Sequence, residues 1–293
     1  MDYWKNRDAR AEHAREHTAR MEMLYGDRIT KSIKDSIILT DNASYIRLRA
    51  GANYLKTFIM DPNMDEFDAA EASVDCEIVV EDVADGASKV ENIMSNYHWH
   101  PDKTTVLNFA SSINPGGFFM QGSSAQEESL CHRSTLYNVL ASNTFVPLYE
   151  DNRKNQRDGL FQDRGIWTPN VIITDDDGRE RRTVNVLTLP APNLKAVHRA
   201  HGDREVANEV FRRRMRMLID FANIIGQRGL VLGAWGCGAF GWPASWVATM
   251  MQTELARYDG DMVRLSIIDK QTADIFKNNM EHIPLYYEEQ KPI

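Results

Sequence analysis

The chain has 293 residues and 43% of them are apolar, which is enough for one large domain with a substantial core. Its formal net charge of -8 argues against bulk attraction to nucleic acid, and no run reaches the roughly 18 apolar residues of a membrane helix. The N-terminus lacks the apolar segment of a signal peptide. The chain has three cysteines, which are far apart in sequence (Cys76, Cys131, Cys237). These features predict an intracellular, cytoplasmic protein with free thiols, or a nuclear one if the source is eukaryotic.

Hydrophobic periodicity predicts the elements of the first half of the chain. A charged helix is expected over residues 5–26, in an N-terminal helical extension (1–30) that lies on the domain. The remaining predictions are strands over 36–40, 76–83 and 104–110, helices over 86–97 and 124–142, and an irregular stretch over 143–169.

The second half alternates strands with helices. Residues 171–190 predict two strands joined by a DDDG turn, and 204–225 predict a long amphipathic helix. Further strands are expected over 229–235 and 262–269, followed by a helix with Pro243 in its first position and by a helix over 271–282. This order predicts an α/β fold, a three-layer α/β/α sandwich with a mixed, largely parallel sheet, in which residues 1–293 form one domain.

The stretch from residue 108 to 137 is the most informative, because a glycine-bearing loop (the first glycine loop, residues 110–125) connects a strand to a helix that opens with Glu127 and Glu128. Amides of such loops attract phosphate, so a carboxylate pair here suggests cleavage of a bond near a phosphorylated sugar. Adjacent helical residues point ~100° apart, so the two glutamates must have different roles. A helix N-terminus lowers carboxyl pKa values, whereas a bound diphosphate raises them. Alternatively, Ser124 and Glu127 form a capping box, and Glu127 only caps its helix.

A second glycine loop, residues 233–242, follows a later strand. Gly236, Gly238 and Gly241 have the G-x-G-x-x-G spacing of a dinucleotide site, which leaves a nicotinamide- or flavin-dependent oxidoreductase as an alternative. Only one strand remains after it, and Asp269 lies 28 residues past Gly241 where a spacing of about 20 is typical, so a second phosphate clamp is favoured. The loop could also be only a tight turn.

No other motif indicates a metal or a nucleophile. His198 and His201 lack an acidic partner at zinc-site spacing, and the acidic run 175–177 resembles a solvated hairpin tip. No metal and no cofactor are therefore expected.

At this point the chain resembles a known family. NPGGFFMQGSSAQEE resembles the signature of the poly(ADP-ribose) glycohydrolases, a glycine triplet followed a few residues later by Gln-Glu-Glu. The segments LNFASSINPGG, QEESLCHRSTLY, IWTPNV, LPAPN and LGAWGCGAFG occur in the order typical of the bacterial-type branch, between about residues 30 and 270. The resemblance implies a macrodomain-like catalytic domain that hydrolyses ribose–ribose O-glycosidic bonds without metal or redox cofactor.

The resemblance also implies roles for individual residues. Glu128 would be the catalytic acid/base, and Glu127 would position the ribose through its hydroxyls. Gln126 would support the helix turn, and Asn108 and Asn114 would orient the terminal ribose. The remaining site residues would approach the ribose and the diphosphate from the two glycine loops: Gly116 and Gly117 from the first, and Gly236, Cys237, Gly238, Ala239 and Phe240 from the second.

The chain departs from the signature at Phe118, which stands at the third glycine. A side chain there could crowd the loop or narrow the choice of substrate. The alternatives are therefore a hydrolase of mono-ADP-ribosyl adducts on protein or nucleic acid, and a non-catalytic ADP-ribose reader, against which the intact glutamate pair argues. The expected partners are ADP-ribose, poly(ADP-ribose) and ADP-ribosylated proteins, with no membrane, no sequence-specific nucleic acid and a monomeric state.

Overall fold

The computed structural model describes residues 3–40, 45–50, 54–59, 75–87, 103–280 and 285–286. Within these residues a ten-stranded sheet has the order β10-β4-β9-β8-β5-β7-β6-β1-β2-β3. Neighbours from β10 to β7 are parallel, and those from β7 to β3 are antiparallel. The strands are β1 Ile37–Thr40, β2 Tyr45–Ala50, β3 Tyr54–Ile59, β4 Asp75–Val79, β5 Thr104–Phe109, β6 Arg164–Thr174, β7 Glu180–Leu189, β8 Gly229–Leu232, β9 Met262–Ser266 and β10 Leu285–Tyr286.

The central strands are buried on both faces, and consecutive residues face two separate cores. In β5, Val106 belongs to one hydrophobic cluster and Leu107 to the other, as the two-residue period of a strand requires. One core is covered by α1 Arg7–Asp35, α2 (residues 83–87), α3 Gln126–His132, α4 Leu136–Leu140 and α5 Val146–Lys154. The opposite core is covered by α6 Leu194–Arg199, α7 Arg204–Ile224, α8 Ala244–Leu255 and α9 Lys270–Asn279. The predicted three-layer mixed sandwich is confirmed.

The N-terminal helix is longer than predicted. Its start is capped by Asn6, whose side chain accepts from the amide of Ala9 at 2.9 Å. Tyr25 has non-helical angles (φ -132°, ψ 15°), and the helix continues beyond this kink to Asp35. The sequence prediction stopped at the kink, so the extension 1–30 ends too early.

The predicted helix over 124–142 is interrupted by tertiary hydrogen bonds. The amide of Thr135 donates to the carbonyl of Ile172 at 3.0 Å, and the amide of Thr174 donates to the carbonyl of Arg133 at 2.8 Å. These bonds to strand β6 divide the segment into α3 and α4, because they hold the backbone between the two helices out of the helical pattern.

Other boundaries also differ. The stretch 143–169 is not irregular, because it contains α5 and the start of β6, and strands β2 and β3 were not predicted. The strand predicted over 76–83 ends at Val79, and Pro243 is the N-cap of α8 with ψ 128°, not its first helical residue. Most of the helix predicted over 86–97 lies outside the described residues.

Candidate active site

Helix α3 is fixed to the end of β5 by Gln126. The amide of Phe109 donates to Gln126 Oε1 at 2.7 Å, and Gln126 Nε2 donates to the carbonyl of Leu107 at 3.1 Å. Gln126 therefore continues the hydrogen bonding of the strand and sets the position of the two glutamates that follow it.

Glu127 points toward β5 and not toward the cap of its own helix. Its Oε1 accepts from Asn108 Nδ2 at 3.1 Å, and its Oε2 accepts from the amide of Ser111 at 2.7 Å. The N-cap residue of α3 is Ala125, which makes no side-chain cap. The capping box expected from Ser124 and Glu127 is thus not formed.

Glu128 points toward the first glycine loop, as its ~100° separation from Glu127 requires. Its Oε1 accepts from the amide of Phe118 at 2.9 Å. A Cβ on Gly117, which has φ +62°, would lie 2.5 Å from the same oxygen, so only glycine allows this approach. Glu128 Oε2 accepts no hydrogen bond from the described part of the chain.

Burial is the largest influence on the pKa of Glu127. Its side chain is only 3% exposed, and desolvation raises the pKa of Glu127 to about 8. Hydrogen bonds from Ser111 and Asn108 lower this pKa, while the charge of Glu128 raises it further. For Glu127 the lowering expected at a helix N-terminus is therefore outweighed by desolvation.

The amides of the first glycine loop are used within the protein. The amides of Gly116 and Phe118 donate to the two glutamates, and the amide of Gly117 donates to the carbonyl of Asn114 at 3.1 Å. The loop therefore binds carboxylates, and the phosphate cradle expected from its sequence is not available at these amides.

In the second glycine loop, by contrast, several backbone amides have no acceptor within the described structure. The amide of Trp242 donates to the carbonyl of Gly236 at 3.1 Å, and the indole of Trp242 donates to the carbonyl of Pro192 at 2.7 Å. These contacts close the loop, yet the amides of Gly238, Ala239 and Phe240 donate to no acceptor among the described residues. Backbone amides without an internal acceptor can donate to an anionic ligand.

A cavity of about 890 Å³ lies between the two loops. This volume is within the ~300–1,000 Å³ typical of small-molecule sites. The residues predicted from sequence that line it are Gln126, Gly236, Cys237, Gly238, Ala239 and Phe240. Glu127, Glu128, Asn108, Gly116, Gly117 and Phe118 form the cluster that adjoins it at the start of α3.

Asn108 and Asn114, which were expected to orient the terminal ribose, make hydrogen bonds within the protein. Asn108 is fully buried behind Glu127, and its Nδ2 also donates to Thr188 Oγ1 at 3.3 Å. Asn114 contributes main-chain bonds, since its amide donates to Ser111 Oγ at 3.1 Å.

Sequence reasoning missed a large part of the cavity wall. Ser129 and Arg133 lie on the same face of α3 as Gln126, at spacings of three and four that could have indicated them. Ser129 Oγ donates to Asp82 Oδ2 at 2.7 Å, which joins α3 to the start of α2. Five more lining residues lie in or beside the two glycine loops: Phe109, Ser124, Ala125, Ala234 and Trp235. The remaining missed residues carry no local signal: Tyr3, Trp4, Glu81, Asp82, Val83, Asp85, Asp176, Ser266, Ile267, Ile268, Asp269 and Thr272.

The described ranges lack both a metal-binding cluster and a membrane-spanning helix. These residues contain no group of three or more His, Cys, Asp or Glu side chains that could hold a metal ion. None of the helices in the same ranges is both long and apolar enough to span a bilayer.

Comparison with known proteins shows the family of the chain. The family model of the microbial-type poly(ADP-ribose) glycohydrolase (PARG) catalytic domain matches residues 17–176. The chain is 34% identical to a PARG from Deinococcus radiodurans solved in complex with ADP-ribose, with 71% of this chain and 84% of that chain covered and a TM-score of 0.61. No curated protein matches the chain.

Two structures of a PARG from Thermomonospora curvata cover more of the chain. One is 24% identical with a TM-score of 0.72, and it covers 93% of this chain and 100% of that chain. The other, bound to the inhibitor ADP-HPD, is 26% identical with a TM-score of 0.71, and it covers 93% of this chain and 99% of that chain.

Proposed function

This chain belongs to the microbial-type PARG family and is a glycosidase of that kind, and we propose that Glu128 is the acid/base that cleaves the ribose–ribose bond. The observation that carries the proposal is the different hydrogen bonding of the two carboxyls. Both oxygens of Glu127 are held by protein donors, whereas Glu128 is held by one oxygen only. Glu128 Oε2 is thus available to exchange a proton with substrate.

The proposed reaction uses Glu128 twice. Protonated Glu128 gives its proton to the departing ribose oxygen as the glycosidic bond breaks. The resulting carboxylate then removes a proton from the water that attacks the anomeric carbon, which returns Glu128 to its starting form. A single residue serves both steps, in contrast to glycosidases in which two carboxyl groups face each other across the bond.

Glu127 and Asn108 have supporting roles in this proposal. Because burial raises the pKa of Glu127 to about 8, it adds little negative charge beside Glu128 when the proton is transferred. Glu127 positions the ribose, and Asn108 acts through Glu127, since Asn108 itself is fully buried.

ADP-ribose is the proposed occupant of the cavity. The diphosphate lies against the unpaired amides of Gly238, Ala239 and Phe240, because those amides need acceptors. Its terminal ribose lies at the start of α3, where Gln126 lines the cavity and is followed directly by Glu127 and Glu128.

The test is Glu128→Gln, which keeps the shape of the side chain and removes its acidity. We expect turnover of poly(ADP-ribose) to fall by ~10³–10⁴-fold, at the upper end for acid–base groups because both steps are affected. The ADP-ribose dissociation constant should stay within a few-fold of wild type. Chromatography of released ADP-ribose and calorimetric titration measure the two quantities.

The matched control is Glu127→Gln, at the adjacent position. If Glu127 only positions the ribose, its variant should retain more turnover than Glu128→Gln. Wild-type turnover in Glu128→Gln would remove this residue from the mechanism.

A further inference from the structure

Two aromatic residues from the start of the chain form part of the cavity wall. Tyr3 and Trp4 belong to a short 3₁₀ helix that precedes α1, and both line the 890 Å³ cavity. They lie before residue 17, where the match to the family model begins, so nothing in that match assigns them a role.

Tyr3 anchors this segment. It is buried, and its ring stacks on His13 at 3.7 Å with an interplanar angle of 9°. His13 in turn hydrogen-bonds His132 of α3, with 2.8 Å between the two Nδ1 atoms. The carbonyl of Trp4 accepts from Arg10 Nη1 at 3.2 Å. The backbone is thus held without the indole of Trp4.

Trp4 is 39% exposed, and its indole contacts the rings of Tyr3 and His132, whose centroids lie 4.9 and 5.3 Å away. Ile268 lines the same cavity from the loop after β9 and is 75% exposed. An exposed aromatic face and an exposed aliphatic side chain in one cavity suit a flat apolar group.

The charges of the cavity indicate which end of the substrate lies here. Asp82, Asp85 and Asp176 line this end together with Arg133, whose Nη2 pairs with Asp85 at 2.6 Å. Three carboxylates against one guanidinium repel phosphate, whereas the unpaired amides of the second glycine loop attract it. The uncharged purine therefore belongs at the end where Trp4 lies.

We propose that Trp4, braced by Tyr3, is a stacking platform for the nucleobase of the substrate, with Ile268 contributing apolar contact from the loop after β9. The proposal rests on ADP-ribose as the proposed ligand. It assigns a specificity role to residues outside the catalytic motif.

Calorimetric titration of Trp4→Ala with ADP-ribose tests the proposal. Base–aromatic stacking is worth ~1–3 kcal/mol, so the dissociation constant should rise roughly 5- to 100-fold. Trp4→Phe retains a ring and should recover most of the affinity, and Ile268→Ala should weaken binding by a few-fold. With poly(ADP-ribose), Trp4→Ala should raise KM and leave kcat nearly unchanged, because stacking on the base contributes equally before and during bond cleavage.

Leu24→Ala is the control, since Leu24 is an exposed apolar residue of α1 that does not line the cavity. Its affinity should equal that of wild type. Unchanged ADP-ribose affinity in Trp4→Ala would overturn the proposal, and so would a Trp4→Phe variant as weak as Trp4→Ala. These outcomes concern binding, so they are distinct from a failure of Glu128→Gln to stop turnover.

Discussion

The two glycine loops follow neighbouring parallel strands, β5 and β8, yet they use their backbone amides in opposite ways. In the first loop the amides of Gly116 and Phe118 hold the glutamate side chains. In the second loop the amides of Gly238, Ala239 and Phe240 have no acceptor within the described structure. The same kind of loop therefore holds carboxyl groups in one place and, in our proposal, binds the diphosphate in the other.

Gly117 of the first loop and Gly238 of the second also differ in the space around them. A Cβ on Gly117 would meet both glutamates within 3.1 Å, whereas a Cβ on Gly238 would meet nothing within 4 Å. Gly117 is enclosed by side chains of the protein, whereas the space beside Gly238 is unfilled. Substitutions in the two loops should thus separate catalysis from binding.

Gly117→Ala should have the largest effect of the loop variants. The added methyl group must displace Glu128 Oε1, and φ +62° is unfavourable for alanine. Because a displacement of ~1 Å can cost ~100-fold in rate, we expect kcat to fall by about that factor, with a smaller change in ADP-ribose affinity. Steady-state kinetics and calorimetry measure both.

The control for this variant is Gly178→Ala, in the β6–β7 turn, where φ is +80° and the nearest atom belongs to the flexible side chain of Arg20. It introduces similar backbone strain away from the glutamates. An equal loss of kcat in the control would mean that general strain, and not the position of Glu128, causes the effect.

Gly238→Val should have a smaller effect, and on binding. The folded protein has room for the side chain, so the thermal midpoint should not change, but the methyl groups would occupy the space proposed for the diphosphate. Loss of one charge-assisted hydrogen bond, ~1.5–3 kcal/mol, predicts an ADP-ribose affinity roughly 10- to 100-fold weaker. Wild-type affinity in calorimetry would exclude the second loop from the diphosphate site.

Phe118→Gly should have the smallest effect. Phe118 has φ -108°, which any residue adopts, and its ring is 53% exposed and does not line the cavity. Rates on poly(ADP-ribose) and on a mono-ADP-ribosylated protein should both remain within about threefold, and the stability cost of glycine is ~0.5–1 kcal/mol. A rise on the polymer alone would show that the ring restricts access after all.

The fold could be predicted where local periodicity and packing agree. Apolar runs gave β5, β8 and β9, and the amphipathic pattern gave α7 almost to the residue. The break between α3 and α4 could not be predicted, because it depends on Thr135 and Thr174 bonding across to residues some 40 positions away. Strands β2 and β3 were missed for a similar reason, since pairing with each other and with β1 decides their state.

The candidate site was predicted as a set of residues and not as a set of contacts. Motif spacing identified Glu127 and Glu128 and both glycine loops. It gave no information on which amides would be consumed inside the protein, because that depends on the direction of each carboxyl. Tyr3 and Trp4 could not be found at all, since only the tertiary fold brings them beside Arg133.

The packing of α1 against the first glycine loop has a consequence for the order of folding. Arg7 Nε donates to the carbonyl of Gln121 and Arg10 Nε to that of Gly122, both at 2.8 Å and across 114 and 112 positions of sequence. Gly122 has φ +76°, and a Cβ there would lie 2.0 Å from the carbonyl oxygen of Arg7, so helix and loop fit backbone to backbone. At ~5–20 residues per second, a ribosome makes α1 roughly 5–20 s before this partner exists. The glutamate cluster thus reaches its final geometry late, when α1 docks on a loop that is synthesised long after it.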